Sequence, residues 1–272
     1  MTATPVSRFW RDPALPMIEA RWVSDGRAFC HAAHTHESFS IGAITGGRSS
    51  YVNGDRRYPI EQGTVVVMNP GEVHACNPLA GEPWAYVMLY IDRPWLGELQ
   101  RQLSGQGDGS FRPYATPHTR AKDLYASVVG LYETLSDAGV SLLRKQSALV
   151  EFAMALQQGL EPGPLTEVCD HPGLARVADY IQAHCLAPIS LDDLCAQAQL
   201  SPSHLIRAFK RRYGLTPHDY VLNSRVQFAR SRLRGGVAIA DVAHEAGFAD
   251  QAHLSRVFKR YLATTPGHYR AG

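Results

Sequence analysis

Arg207, Arg256 and Gln251 are the side chains of this 272-residue chain best equipped to read another molecule. A guanidinium presents two parallel donors that match the guanine edge in the major groove of DNA, and a carboxamide matches adenine. The two arginines stand in matching surroundings. Ser201-Pro202-Ser203-His204-Leu205-Ile206-Arg207-Ala208-Phe209-Lys210-Arg211 returns, altered, as Asp250-Gln251-Ala252-His253-Leu254-Ser255-Arg256-Val257-Phe258-Lys259-Arg260. Leu205/Leu254, Phe209/Phe258, Pro217/Pro266 and Tyr220/Tyr269 repeat at an offset of 49, and upstream Leu194/Val242, Ala198/Ala246 and Leu200/Phe248 repeat at 48. A repeat of this kind marks a duplicated structural unit.

Each copy reads as helix-turn-helix. Ser190 with Asp193 three residues on is a capping box that satisfies free amide donors. Ser201-Pro202 starts the next helix, since proline in the first turn loses no hydrogen bond. Leu205, Ile206 and Phe209 make the apolar stripe, leaving Ser203, Arg207 and Lys210 to another face. Gly247 permits a left-handed turn before Phe248. Gln199 holds the matching place in the first copy, so that turn is expected to be strained or differently shaped. Lys210, Arg211, Lys259 and Arg260 come later and read as phosphate-facing charges. A helical bundle with a solvated basic face would share this composition. Two copies at matched spacing, each ending in Thr-Pro-x-x-Tyr, argue against it.

On these motifs residues 174–270 resemble the DNA-binding domain of the AraC family of bacterial transcription regulators. The family's Ile-Ala-x-Val-Ala-x-x-x-Gly-Phe pattern stands here as Ile239-Ala240-Asp241-Val242-Ala243-His244-Glu245-Ala246-Gly247-Phe248. The resemblance implies two helix-turn-helix units joined by a long helix from Pro217 to about Arg234, carrying Arg225, Val226, Ala229 and Leu233. It implies base-reading positions at Ser203, Ile206, Arg207, Gln251, Ala252, His253 and Arg256. Ile206 and Ala252 can at most touch a thymine methyl. It further implies double-stranded DNA and RNA polymerase as partners, a homodimer, and activation more often than repression.

Charge divides the chain. Residues 171–272 hold 13 Lys and Arg against 7 Asp and Glu, whereas residues 1–170 hold 14 against 18. A basic half joined to an acidic one fits a nucleic-acid module attached to something else. The five cysteines, at 30, 76, 169, 185 and 195, lack zinc-finger spacing and read as reduced thiols. The start has no apolar secretory region and no run reaches membrane-spanning length, so a soluble, cytoplasmic protein is expected.

Residues 1–17 have no clear period and read as an arm. From about Glu19 to Ile91 short β-prone runs alternate with turns, including the hairpin signal Asn53-Gly54, Thr64 to Met68, and Trp84 to Ile91. Such spacing predicts a small barrel or sandwich. His34-Thr35-His36 precedes a strand, and Gly63 with Pro70-Gly71-x-x-His74-x-x-Asn77 follows. On a strand His34 and His36 share a face, and with His74 they can form a three-histidine metal site or contact an organic ligand. These motifs resemble the cupin barrel, the usual effector domain of the AraC family. Cupin metal sites add a glutamate four or five residues after the second histidine, where Ser40 and Ile41 stand here. Regulatory barrels of the family generally do without metal, so neither metal nor other cofactor is expected. The expected effector pocket comprises His34, His36, Ser40, Tyr51, His74, Trp84 and Tyr86, and suits a small polar molecule such as a sugar, amino acid or organic acid.

A short helix from Trp95 to Leu103 and two amphipathic helices follow. Their stripes are Leu124, Val128, Leu131, Leu135 and then Leu149, Phe152, Ala153, Leu156, Leu160. They are expected to pack on the barrel and, by family likeness, to make the dimer contact. The sequence therefore predicts an α+β chain of two domains: an arm (1–17), a cupin-like effector-binding and dimerisation domain (18–160), a linker (161–173) and an all-α double helix-turn-helix domain (174–272). The expected function is effector-controlled, sequence-specific transcription regulation, not enzymatic. Two alternatives are a metal-dependent cupin enzyme fused to a DNA module, disfavoured by the missing glutamate, and a ligand-independent DNA-binding dimer.

Overall fold

The alternating runs of the first half form eight antiparallel strands in a computed structural model that describes residues 7–79, 81–105, 107–163 and 172–271. They are β1 (Ser7–Trp10), β2 (Ile18–Val23), β3 (Phe39–Asn53), β4 (Arg56–Glu61), β5 (Val65–Met68), β6 (His74–Pro78), β7 (Trp84–Ile91) and β8 (His118–Thr119). One sheet runs β1-β2-β7-β3-β5-β8, while β4 and β6 pair with the far half of β3. The 15-residue β3 thus belongs to both sheets, and a register shift between Ile44 and Gly46 bends it from one to the other. Gly47, at φ +68°, makes that corner possible, because a Cβ there would lie 1.8 Å from the Pro83 carbonyl oxygen.

Period-two alternation sorts the side chains of this sheet. Phe39, Ile41, Ala43, Val65, Val67, Leu89 and Ile91 point to a core shared with helices, whereas Ile44, Val66, Met68, Trp84, Tyr86 and Met88 fill the barrel interior. The helices are α1 (Arg93–Ser104), α2 (Lys122–Ser136) and α3 (Leu142–Gly159), and both expected apolar stripes are buried against the sheet.

The segment expected to be an arm differs from that reading. Ser7–Trp10 pairs with β2 in full register and Leu15 is completely buried, so this stretch is part of the barrel. Hydrophobic burial of Leu15 and the ladder bonds outweigh the cost of ordering a segment that has no period of its own. Residues 1–6 lie outside the described residues, as do 164–171 of the expected linker, Cys169 among them. The linker's first residues are held rather than free, with Ala115 N donating to Glu161 O and Gly163 N to Pro113 O.

The second half is helical: α4 (Pro172–His184), α5 (Leu191–Ala198), α6 (Pro202–Tyr213), α7 (Pro217–Arg234), α8 (Ile239–Glu245), α9 (Gln251–Leu262) and α10 (Pro266–Ala271). The capping box of Ser190 and Asp193 is present at the start of α5. The duplication is reproduced in space. Phe209 meets Tyr220 edge-on with ring centres 5.5 Å apart, and Phe258 meets Tyr269 likewise at 5.5 Å. Even the backbone strain is shared out between the copies. Gln199 (φ 55°) and Ala263 (φ 49°) are the non-glycine residues of positive φ among those described. Their repeat-mates are glycines, Gly247 (φ 72°) and Gly214 (φ 69°). Each copy therefore carries one left-handed turn relieved by glycine and one that is not. Gln199→Gly and Ala263→Gly are each expected to raise stability by about 1 kcal/mol, while Gly247→Ala lowers it, since its Cβ would lie 2.5 Å from Leu186 O. Urea unfolding of the three variants checks the signs.

Candidate functional site

The DNA-reading residues fall where a reading surface requires them. On α6, Ser203, Ile206, Arg207, Lys210 and Arg211 are exposed, while Leu205, Ala208 and Phe209 fill the core behind them. On α9, Gln251, Ala252, Arg256 and Lys259 are exposed over buried Leu254, Val257 and Phe258. His253 is half-buried, its ring edge-on to Phe248 at 5.2 Å and its backbone N–H capped by Asp250, so its packing restrains it more than its neighbours. Arg207 folds back so that Nε donates to Ser203 O, while Lys210, Arg211, Arg256 and Lys259 make no ion pair among the described residues. These exposures hold with both domains in place, so the barrel covers neither reading face.

One residue of the joining helix fixes how the two units sit. Arg225 of α7 donates from Nε to Cys185 O and from Nη1 to Gly247 O, both at 2.6 Å, and from Nη2 to Ala187 O at 3.0 Å. Those carbonyls belong to the end of α4 and to the turn before α9. A planar, permanently charged fork with five donors suits this task better than lysine.

In the barrel the expected effector residues divide into two groups. His34, His36, His74, Trp84 and Tyr86 line one internal cavity, together with His31, Cys76 and Tyr90. Tyr51 is outside it: its hydroxyl donates to Val67 O and accepts from Asn53, a structural tie across the sheets. Ser40 is fully buried, with a hydroxyl that has no hydrogen-bond partner among the described residues. His34 and His36 do not lie in a regular strand. His34 forms an isolated bridge with His74 and the chain is otherwise extended, which still turns both rings the same way. Of the flanking carboxylates, Glu37 is exposed and Glu72 is bound by Asn53 and Asn69. The cavity holds about 30 Å³, because Met68, Met88, Trp84 and Tyr86 fill the interior that was expected to admit a metabolite. Metabolite pockets run to about 300–1,000 Å³. Burial brings the His74 imidazole down to about 4 and, with the other histidines nearby, holds His34 and His36 well below their usual range, so all three rings are neutral at pH 7.

A second space lies between the domains. It has a volume of about 940 Å³ and is lined from the barrel side by Glu19, Ser38 and Tyr90 and from α7 by Gln227, Arg230 and Arg234. Tyr90 belongs to both spaces.

Residues 24–153 match the model of the AraC-like ligand binding domain and residues 194–272 that of a helix-turn-helix domain. The chain belongs to the AraC family of transcription regulators. Among its relatives, HTH-type regulator YbfI of Bacillus subtilis is 26% identical over 81% of this chain and 80% of its own. The HTH-type transcriptional activator RhaR of Escherichia coli is 25% identical over 88% and 86%. The fold is that of ToxT from Vibrio cholerae, whose apo form aligns over 99% of this chain and 98% of its own at TM-score 0.59 and 14% identity. A fatty-acid-bound ToxT structure aligns with TM-score 0.58 and 16% identity, covering 99% and 95%. The relatives are regulators, not enzymes, and no described helix is long and apolar enough to cross a membrane.

What this AraC-family chain adds is a buried charge at the domain boundary that its sequence did not disclose. Glu19 of β2 is 2% exposed. Its carboxylate receives Arg230 Nη2 of α7 at 3.0 Å, Arg11 Nε at 2.7 Å and the Tyr269 hydroxyl of α10 at 2.9 Å. Burial alone would raise its pKa, but Arg230 and Arg11 outweigh it and hold the group below the usual carboxylate range. Arg21, on the same strand face and fully buried, donates across the boundary to Leu262 O. Opposite charges two residues apart in an otherwise apolar strand were the available signal, and they named no partner. Glu19→Gln would leave Arg230 charged and buried, and is expected to cost on the order of 3 kcal/mol. Breaking the exposed pair Arg48–Glu82 should cost under about 1 kcal/mol. Denaturant melts of both variants test that contrast.

Proposed function

We propose that this regulator binds a promoter as a homodimer, setting α6 and α9 in successive major-groove segments about one helical turn apart, and that it activates transcription through RNA polymerase. The observation carrying this reading is that the outer faces of both reading helices stay exposed and cationic, while the barrel docks on α7, α10 and only the C-terminal end of α9. The assigned base contacts are Arg207 and Ser203 on α6 and Gln251, His253 and Arg256 on α9, with Ile206 and Ala252 against thymine methyls. Lys210, Arg211 and Lys259 take phosphates. The domains divide as the sequence implies, into effector-binding and dimerisation up to about residue 160 and DNA binding from about residue 174.

Control comes from a small polar effector. In the barrel the residues put forward for it are His34, His36, His74, Trp84 and Tyr86 around the cavity, with Ser40 buried nearby in sequence and Tyr51 tied to Val67 O outside it, and Tyr90 lines both the cavity and the cleft. Volume favours the cleft for the bulk of a metabolite, about 940 Å³ against about 30 Å³. A ligand there touches both domains, so its affinity can differ between their arrangements, which is what switching requires. The fatty acid named for ToxT belongs to that protein; this cleft, lined by Arg93, Arg230 and Arg234 beside Glu19, Glu37, Asp92 and Asp108, suits a polar group.

Dimerisation through α3 is supported by its outer face. Leu143, Val150 and Met154 lie at helical spacing and are 73%, 40% and 44% exposed, opposite the buried stripe. Met154→Asp is expected to yield a monomer in light scattering with an unchanged melting profile. For DNA, selection from a random pool at fixed salt should return two boxes. Arg256→Ala should lose about 1–3 kcal/mol and relax one of them. Lys210→Ala should weaken all sequences alike and flatten the salt dependence. A Lys210→Ala protein with altered base preference and an unchanged salt slope would reverse that assignment.

A further inference from the structure

The DNA-binding domain holds a groove of its own, with a volume of about 680 Å³, between its two helix-turn-helix units. Leu191 and Leu194 of α5, Ile206 of α6, and Val221 and Leu222 of α7 line it, and Gly247 closes it from the turn before α9. Part of this lining is apolar surface left in water. Ile206, next to the buried Leu205 on α6, is 37% exposed, and Leu191, the first residue of α5, is 39% exposed. The large apolar side chains exposed among the described residues gather in two places only. One is α3; the other is this groove, where Leu186 stands just ahead of the lining residue Pro188.

One charge gives the groove its polarity. Arg225, half-buried in the lining, spends three of its five N–H donors on the carbonyls of Cys185, Ala187 and Gly247. It makes no ion pair among the described residues, unlike Arg230 on the same helix, which meets Glu19. Burial pulls the Arg225 pKa below the usual guanidinium value, and no carboxylate restores it. The lining itself contains no Asp or Glu; its other polar side chains are Ser190, Thr216 and His218. Asp193 and Asp219, near it in sequence, are tied to the hydroxyls of Ser190 and Thr216, and Asp219 also meets Arg260 at 3.4 Å. Apolar walls, a few placed polar groups and a volume within about 300–1,000 Å³ are the make-up of a small-molecule pocket. The unmatched cation defines what the molecule must carry.

We propose that this groove binds an amphiphilic organic anion, an alkyl or aryl carboxylate, with its apolar body against Leu191, Leu194, Ile206 and Val221 and its carboxylate at Arg225. The site shares no residue with the cleft between the domains, whose lining mixes acids with arginines. Its occupant touches both units at once, the first through α5 and α6 and the second through the turn before α9. It also covers Ile206, which the DNA-binding reading sets against a thymine methyl, so it opposes DNA binding. That consequence rests on the DNA-binding reading; the site itself does not.

The test uses the full-length chain with octanoate, and octanamide as its uncharged match. Titration calorimetry should show one saturable site for octanoate and binding at least tenfold weaker for octanamide. Leu191→Glu sets a negative charge on the rim. At the first position of α5 it agrees with the helix dipole, so the fold is kept, as circular dichroism checks. Leu191→Lys removes the same leucine but adds the opposite charge, and its alkyl stem still covers apolar surface. Octanoate should bind Leu191→Lys at least tenfold more tightly than Leu191→Glu. Absence of saturable octanoate binding by the parent, equal affinities in the two folded variants, or octanamide bound as well as octanoate overturns the site. Weaker DNA binding by Leu191→Glu in a protein that takes up no octanoate assigns the groove to the DNA backbone instead. At saturation octanoate should lower the parent's affinity for its selected DNA at least threefold at fixed ionic strength. An unchanged DNA affinity in a protein that holds octanoate overturns the opposition. Failure of the parent to select any DNA sequence, with octanoate bound as expected, overturns the DNA-binding reading and leaves the site standing.

Discussion

The carboxylate of Glu19 is the constraint on which the two-domain arrangement depends. A charge taken out of water on a barrel strand costs several kcal/mol unless it is matched. Of its three hydrogen-bond partners only Arg11 comes from the barrel; Arg230 and Tyr269 come from the DNA-binding domain, from which Arg234 also approaches to 4.0 Å. Glu19 and Arg230 are thus buried against each other only where the domains meet. Burial works against the Arg230 charge, yet Tyr269, Glu19 and Tyr90 hold its pKa above the usual guanidinium value. Each charge makes the other tolerable. Such a pair adds little net stability over an apolar contact but penalises any arrangement that separates its members, and so specifies how the domains dock.

Around that anchor directional bonds join the apolar contacts of Phe9 and Ala32 with the DNA-binding domain. Arg21 and His31 reach the carbonyls of Leu262 and Tyr261 at the end of α9, Thr35 is held by α7, and Arg11 reaches Tyr269 O. The ligand-sized cleft opens beside Glu19 and Arg230. Arg230, which neutralises Glu19, thus lines the cleft. Meanwhile Arg225 makes the two reading units one rigid piece through three carbonyls.

Much of this was legible in the sequence. The duplication, with Phe209/Phe258 and Tyr220/Tyr269 at a fixed offset, dictated two equivalent helical units because identical residues at identical spacing bury identical faces. The stripes of α2 and α3 and the Asn53-Gly54 hairpin were legible for the same reason: helix period, strand period and turn chemistry are local. The outward positions of Arg207 and Arg256 followed from the inward ones of Leu205 and Leu254. The residues expected to make the arm were misread because Ser7–Trp10 becomes a strand only by pairing with β2, and a strand edge has no sequence signature of its own.

Tertiary structure alone decided how full the barrel is, which face of the DNA-binding domain it meets, and which charges pair. Cavity volume depends on how Met68, Met88, Trp84 and Tyr86 interdigitate, and side-chain types do not fix packing. Two partners of Glu19, Arg230 and Tyr269, lie more than two hundred residues away in sequence. The convergence of His34, His36 and His74 shows the division most clearly. Their residue types announced what chemistry was available, but their meeting, and the turn of Thr35 toward α7, exist only once the chain has folded.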